Sequence, residues 1–129
     1  MKLFFFLFIL FFKVVQPPAD PVDKTISLLK ESNWTELYKT FANNVDLTIM
    51  DDSNVYPKDK AQEVVNGFFG KNGPFTVKLV HRVDSNPELK FAVVILSGKG
   101  GNYRTSLSLR NNNGTFQVSE LRIEAEKLK

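Results

Sequence analysis

From Phe75 to Ile123 the chain consists almost entirely of alternation and turn. Apolar and polar residues exchange at every second position in successive stretches, and clusters of Gly, Asn, Asp and Pro separate them. This is the pattern of strands joined by short connections, and it predicts a four-strand meander. In the first stretch Phe75, Val77, Leu79, His81 and Val83 take one face, with Thr76, Lys78, Val80 and Arg82 on the other. Phe91 to Leu96 is apolar on both faces, which predicts a strand covered on each side. Tyr103, Thr105, Leu107 and Leu109 alternate with Arg104, Ser106, Ser108 and Arg110, and Asn111-Asn112-Asn113-Gly114 predicts a hairpin turn. In the last stretch the apolar step from Val118 to Leu121 is three residues, which predicts a bulge near Ser119-Glu120.

Such a sheet needs a cover for its apolar face, and the first half of the chain supplies helices for it. Asp20-Pro21 has the residues of a helix N-cap and first turn, followed by Val22, Ile26 and Leu29 at helical spacing. Asn33 caps a second helix in which Trp34, Leu37, Tyr38 and Phe41 form one stripe, and Asn43-Asn44 is its expected stop. Val45 to Ile49 alternates as a strand, and Val55-Tyr56 predicts a brief return strand. Ala61, Val64, Val65 and Phe68 then mark a third helix from Lys58 to Phe69. The fold class is α+β.

The first residues belong to another layout. Met1-Lys2 precedes an unbroken apolar run, Leu3 to Phe12, and then Lys13 and Gln16-Pro17-Pro18. A basic start, a short apolar run and a polar break make a secretory signal peptide over residues 1–19, with cleavage expected after Ala19. One domain then occupies residues 20–129. The run is too short to span a bilayer, which takes about 20 residues, so stable membrane insertion is expected only if the leader is uncleaved. The expected location is periplasmic or secreted. Of the 17 Lys and Arg, only Lys2 and Lys13 precede Ala19, and none of the 14 Asp and Glu does, so the net charge of +3 falls to +1 on cleavage. That balance does not suit a nucleic-acid binder, which needs a concentrated basic face. With no cysteine there is no disulfide, thiol nucleophile, thiolate metal site or lipid-modified cysteine.

The order of elements, helix, helix, strand, short strand, helix and four strands, resembles the nuclear-transport-factor-2-like fold of the cystatin-like superfamily. That fold is a cone made by a curved antiparallel sheet wrapped around three helices. More narrowly, the chain resembles an exported bacterial family of unknown function within that superfamily. Val45-Asp46-Leu47-Thr48-Ile49, Val55-Tyr56, Phe68-Phe69, Val80-His81, Asn102-Tyr103-Arg104 and Leu121-Arg122-Ile123-Glu124 carry the likeness. It implies four long strands with one or two short ones, and a homodimer paired through the sheet. It transfers no catalytic residue. Some enzymes of the superfamily hold a carboxylate and a tyrosine inside the cone, and here Asp46 alternates away from Val45 and Leu47.

No motif names a reaction, and no metal or cofactor is implied. His81, the sole histidine, falls on the predicted cavity face, where it is either a general base or a hydrogen-bonded histidine at the core edge. Tyr103 would be its companion. Trp34, Phe41, Phe68, His81 and Tyr103 are the candidate lining of a site for a small apolar ligand, although helical spacing also makes Trp34 and Phe41 core residues. Phe68 and Phe69 are adjacent and cannot both point inward, so one is expected at a pocket mouth or interface. Asp52, Asn54 and Glu63 fail as a calcium loop, because Pro57 stands where glycine is needed. Gly98-Lys99-Gly100-Gly101 lacks the spacing of a phosphate loop. Lys78, Arg82, Arg104 and Arg110 read as a solvated face. The expectation is a non-catalytic ligand-binding or dimerisation module. The alternatives are an enzyme acting on a small apolar substrate through His81 and Tyr103, and a structural or accessory envelope protein.

Overall fold

The computed structural model describes residues 20–126; the predicted leader and its cleavage site lie outside them. Helix α1 (Pro21–Lys30) starts where its cap requires. The Asp20 carboxylate accepts from the Val22 N–H at 2.8 Å and from the Asp23 N–H, which occupies two of the N–H groups that a helix start leaves without partners. Asn33 caps α2 (Trp34–Lys39) in the same way. This helix is shorter than its apolar stripe suggests. Phe41, Asn43 and Asn44 belong to strand β1 (Phe41–Ile49), so Asn43-Asn44 does not stop a helix. The alternation of Phe41, Val45 and Leu47 towards the core continues the stripe in a different period.

Strand β2 (Asp52–Pro57) returns beside β1, and α3 (Lys58–Asn72) follows. The chain then makes β3 (Thr76–Val83), β4 (Leu89–Gly98), β5 (Gly101–Asn112) and β6 (Thr115–Ala125). The sheet order is β2-β1-β6-β5-β4-β3. All neighbours are antiparallel except β1 and β6, which run parallel where the end of the meander meets the first strand. The β5–β6 turn is the predicted one. Asn112 pairs with Thr115, and Asn113 (φ 53°) and Gly114 (φ 89°) are both left-handed, as a two-residue hairpin turn demands. The expected bulge is present too: Ser108 faces Glu120 and Leu109 faces Val118, which leaves Ser119 extra.

The three helices cover one face of the sheet. The core there joins Leu29 and Leu37 to Val65 and Phe69, and to Val94, Leu96, Leu107 and Ile123 from the strands. The other face of β4 differs from the expectation. Phe91, Val93 and Ile95 point there, and Val93, although buried, lies outside the core cluster. Beside it Val80 and Val83 are 45% and 42% exposed. The strand expected to be covered on both faces is therefore covered by the helices on one.

A second bulge redirects β3. Leu79 pairs with Val94 and His81 with Val93, so Val80 has no partner and the alternation slips by one. Arg82 consequently turns to the helix side. Its guanidinium meets Asp23 at 2.6 Å, Asp84 at 2.8 Å and Asp20 at 2.9 Å. Hydrogen bonds to Asp23 and Asp84 raise its already high pKa. Burial tends to raise the pKa of Asp20, but hydrogen bonds from Asp23 and Val22 and the charge of Arg82 outweigh it and hold the carboxyl below its ordinary value. The slip thus ties β3 to the start of α1.

Candidate functional site

Five aromatic side chains fill the space under the helices at one end of the sheet. Trp34 of α2 stacks on Phe69 of α3 with ring centroids 4.2 Å apart. Phe75 meets the edge of Phe69 at 5.8 Å and stacks with Phe68 at 6.1 Å. Tyr103 of β5 meets Phe68 edge-on at 4.9 Å. Offset-stacked and edge-on pairs at these separations are the favourable geometries for aromatic rings. Phe69 is buried and Phe68 half-buried, so the adjacent pair divides as predicted, one residue in the core and one at a mouth.

That mouth is a cleft of about 400 Å³ between α3 and the β1–β2 turn. Ile49, Val64, Phe68 and Tyr103 supply its apolar lining, and Asp52 and Lys71 bring opposite charges to it. Met50 also borders it, with a left-handed backbone (φ 57°) at the first central position of the turn. This position usually takes Gly, Asn or Asp, since a Cβ crowds the carbonyl there. The Met50 N–H is fixed by the Ile123 carbonyl at 2.8 Å.

Asn72 holds the cleft together. The Tyr103 hydroxyl donates to its Oδ1 at 3.2 Å, and its Nδ2 donates to the Phe68 carbonyl at 3.0 Å. Its own carbonyl accepts from the Lys99 N–H at 2.8 Å. The glycines of the β4–β5 turn allow this approach. A Cβ on Gly98 would overlap the Asn72 carbonyl and the Phe75 ring, and one on Gly100 would overlap the Asn72 amide and the Tyr103 hydroxyl. The glycine-rich turn that lacks phosphate-loop spacing thus packs closely against the end of α3.

The sequence candidates separate on this frame. Phe68 and Tyr103 line the cleft. Trp34 packs behind it through Phe69. Phe41 is fully buried in β1, edge-on to Tyr38 at 5.6 Å, and does not line the cleft. His81 is a correction: the Val80 bulge turns it to the outer face, exposed and across the sheet from Tyr103. Asp46 is also exposed on the outer side. The base, acid and tyrosine that the enzyme alternative needs therefore do not converge. The basic face divides for the same reason, since Arg82 leaves Lys78, Arg104 and Arg110 for the Asp20 network. Burial pushes the Tyr38 hydroxyl up to about 12, and it donates to Asn66 Oδ1 at 3.0 Å, so it serves as a neutral donor. Among the described residues there is no group of three or more His, Cys, Asp or Glu that could hold a metal ion. Sequence reasoning missed Asn72, Lys71 and Met50. The available signal was the pair of glycines at 98 and 100, a spacing that marks close backbone approach.

The model of a domain of unknown function, DUF4783, matches residues 22–124. The chain belongs to the DUF4783 family. Among solved structures, this DUF4783 chain is similar to a family member from Bacteroides uniformis, with 25% identity and a TM-score of 0.79 over 84% of this chain and 100% of that one. A domain of unknown function with a cystatin-like fold from Nostoc punctiforme gives a TM-score of 0.65 at 9% identity, over 85% of this chain and 81% of the other. An NTF2-like protein of unknown function from Cytophaga hutchinsonii gives 0.60 at 11% identity, over 89% and 95%. No curated protein matches the chain. The DUF4783 chain is thus an NTF2-like, cystatin-like α+β domain, as its order of elements implied.

Proposed function

We propose that this DUF4783 domain is a non-catalytic binding module whose ligand is a small apolar molecule received at the cleft of Phe68 and Tyr103. The observation that carries the reading is the cleft itself: aromatic and aliphatic walls beside a few fixed polar groups, the usual make-up of a small-molecule site. The displacement of His81 and Asp46 to the far face supports binding over turnover. Toluene, titrated into protein labelled at the methionine methyls and aromatic rings, is expected to shift the NMR signals of Met50, Phe68 and Tyr103 and leave His81 unmoved. Shifts confined to His81 and the outer face would overturn the reading.

The uncovered face of β3 and β4 favours a second role, pairing with another copy of the chain. Val80, Val83, Phe91 and Ile95 form its apolar strip. The registers place Lys78, Ile95, Arg104 and Glu124 in one row across the sheet. A twofold axis along the strands between β4 and β5 would lay β3 of one copy over β6 of its partner. Lys78 would then face the acidic end of the other row. In sedimentation equilibrium the wild type is expected to run as a dimer and Ile95→Arg as a folded monomer. A monomeric wild type at concentrations near 100 μM would exclude a stable pair. Service as an accessory envelope component, after export, is compatible with both roles, and capture of a stable partner from the periplasm is its test.

A further inference from the structure

The helices carry a second concave surface, apart from the cleft. Asp59, Gln62, Glu63 and Asn66 stand at i, i+3, i+4 and i+7 of α3 and so share one face of that helix. Beside them α2 brings Thr35, Tyr38 and Lys39, again at i, i+3 and i+4. Two open hollows lie along these rows, of about 330 and 440 Å³. Tyr38 and Gln62 border both, so the hollows join into one groove over α2 and α3. Phe68 and Tyr103, which mark the cleft, line neither.

The charges of this groove balance. Lys39 and Lys58 are matched by Asp59 and Glu63. Lys39 is also paired with Glu36 at 2.9 Å, and Glu63 with Lys60 at 3.2 Å. Neither an anion nor a cation gains much in such a place. An apolar molecule gains little either, because among the described residues that line the groove only Tyr38 is aromatic or aliphatic. What remains is one ring with amides beside it. The Tyr38 ring is held edge-on to Phe41, so it is in place before a ligand arrives. Its hydroxyl donates to Asn66 Oδ1, which orients that amide and leaves the Nδ2 as a donor. Gln62 brings a donor and an acceptor to the point where the hollows join.

We infer that this groove binds a neutral oligosaccharide. A sugar hydroxyl both donates and accepts, which matches the mixture of amide and carboxylate groups along α3. The C–H face of a pyranose carries a slight positive charge and suits the negative face of an aromatic ring, here that of Tyr38. Each hollow is within the size range of small-molecule sites, and two joined hollows receive consecutive units of one chain. No element of the fold has to move. The inference does not depend on the cleft reading above.

Cellotetraose, maltotetraose and N-acetylated chitotetraose are the probes, with tetragalacturonate as the anionic control. Titrated at millimolar concentrations into isotope-labelled protein, at least one neutral probe should saturably shift the NMR signals of the Tyr38 ring and the Gln62 and Asn66 side-chain amides. Phe68 and Tyr103 should not move. Gln62→Ala should weaken binding about 2–10-fold, the range of one net hydrogen bond. It should melt at or above the temperature of the wild type, since alanine is the better helix former. Tyr38→Ala should abolish binding. Because Tyr38 is half-buried, Tyr38→Phe is the companion variant, and it keeps the ring and should still bind. If no neutral probe moves these signals, the assignment fails. If tetragalacturonate binds more tightly than every neutral probe, Lys39 and Lys58 make an anion site and the assignment fails as well. Unchanged affinity in both Gln62→Ala and Tyr38→Ala would place the sugar elsewhere and overturn it too.

Discussion

Phe69→Ala is expected to lower the unfolding free energy by about 3–5 kcal/mol, the range for removing a buried aromatic ring. Phe69 is 2% exposed and touches rings from three directions: Trp34 stacked on it, Phe75 edge-on, and Phe68 beside it. Removal forfeits the transfer energy of the ring and leaves a cavity that the neighbours, held from α2, α3 and the start of β3, fill only in part. The effect should also be local. Urea titration gives the magnitude, and the Trp34 fluorescence of the folded variant should shift to longer wavelength as its stacking partner is lost. A loss below 1 kcal/mol would mean that the aromatic end collapses freely and does not order the helices.

Leu107→Ala should cost about 2–5 kcal/mol, since Leu107 is 3% exposed at the middle of the sheet. The comparison with its neighbour makes the test sharper. Ser106, one residue earlier, points to the uncovered face opposite Val93, and Ser106→Ala should change stability by less than about 0.5 kcal/mol. Equal effects at the two positions would reverse the assignment of the faces of β5.

The strand faces of β5 and β6 are legible in the sequence because one face is buried and the side-chain period is two. Even the Ser119 bulge shows as a break in parity between Val118 and Leu121. On β3 the same reasoning misplaces His81. Leu79 and Val80 are both apolar, so hydrophobicity alone does not say which is the extra residue. The deciding interaction is long-range: Arg82 reaches Asp20 and Asp23, about sixty positions earlier in the chain, and takes the inner side of the strand. The boundary of α2 is ambiguous in the sequence for a related reason. Phe41 satisfies the helical stripe and the core face of β1 equally well, and pairing with Val118 of β6 settles it as strand. At the cleft, aromatic residues were visible as candidates, but Asn72 gains its role only when the β4–β5 turn docks on α3. No local pattern encodes that contact.

The unpaired residue at Val80 has a consequence for how copies of this chain can meet. A sheet with open borders can grow by adding strands from other molecules, without limit. Here one border, β3, is interrupted by the bulge at its middle, and the other, β2, is six residues long and ends at Pro57, which has no N–H to offer. Both are poor templates for another strand. Lateral extension is thereby disfavoured, which leaves the flat of the sheet for the pairing proposed above. The apolar strip of β3 and β4 is thereby less of an aggregation hazard than it would be on an open-bordered sheet.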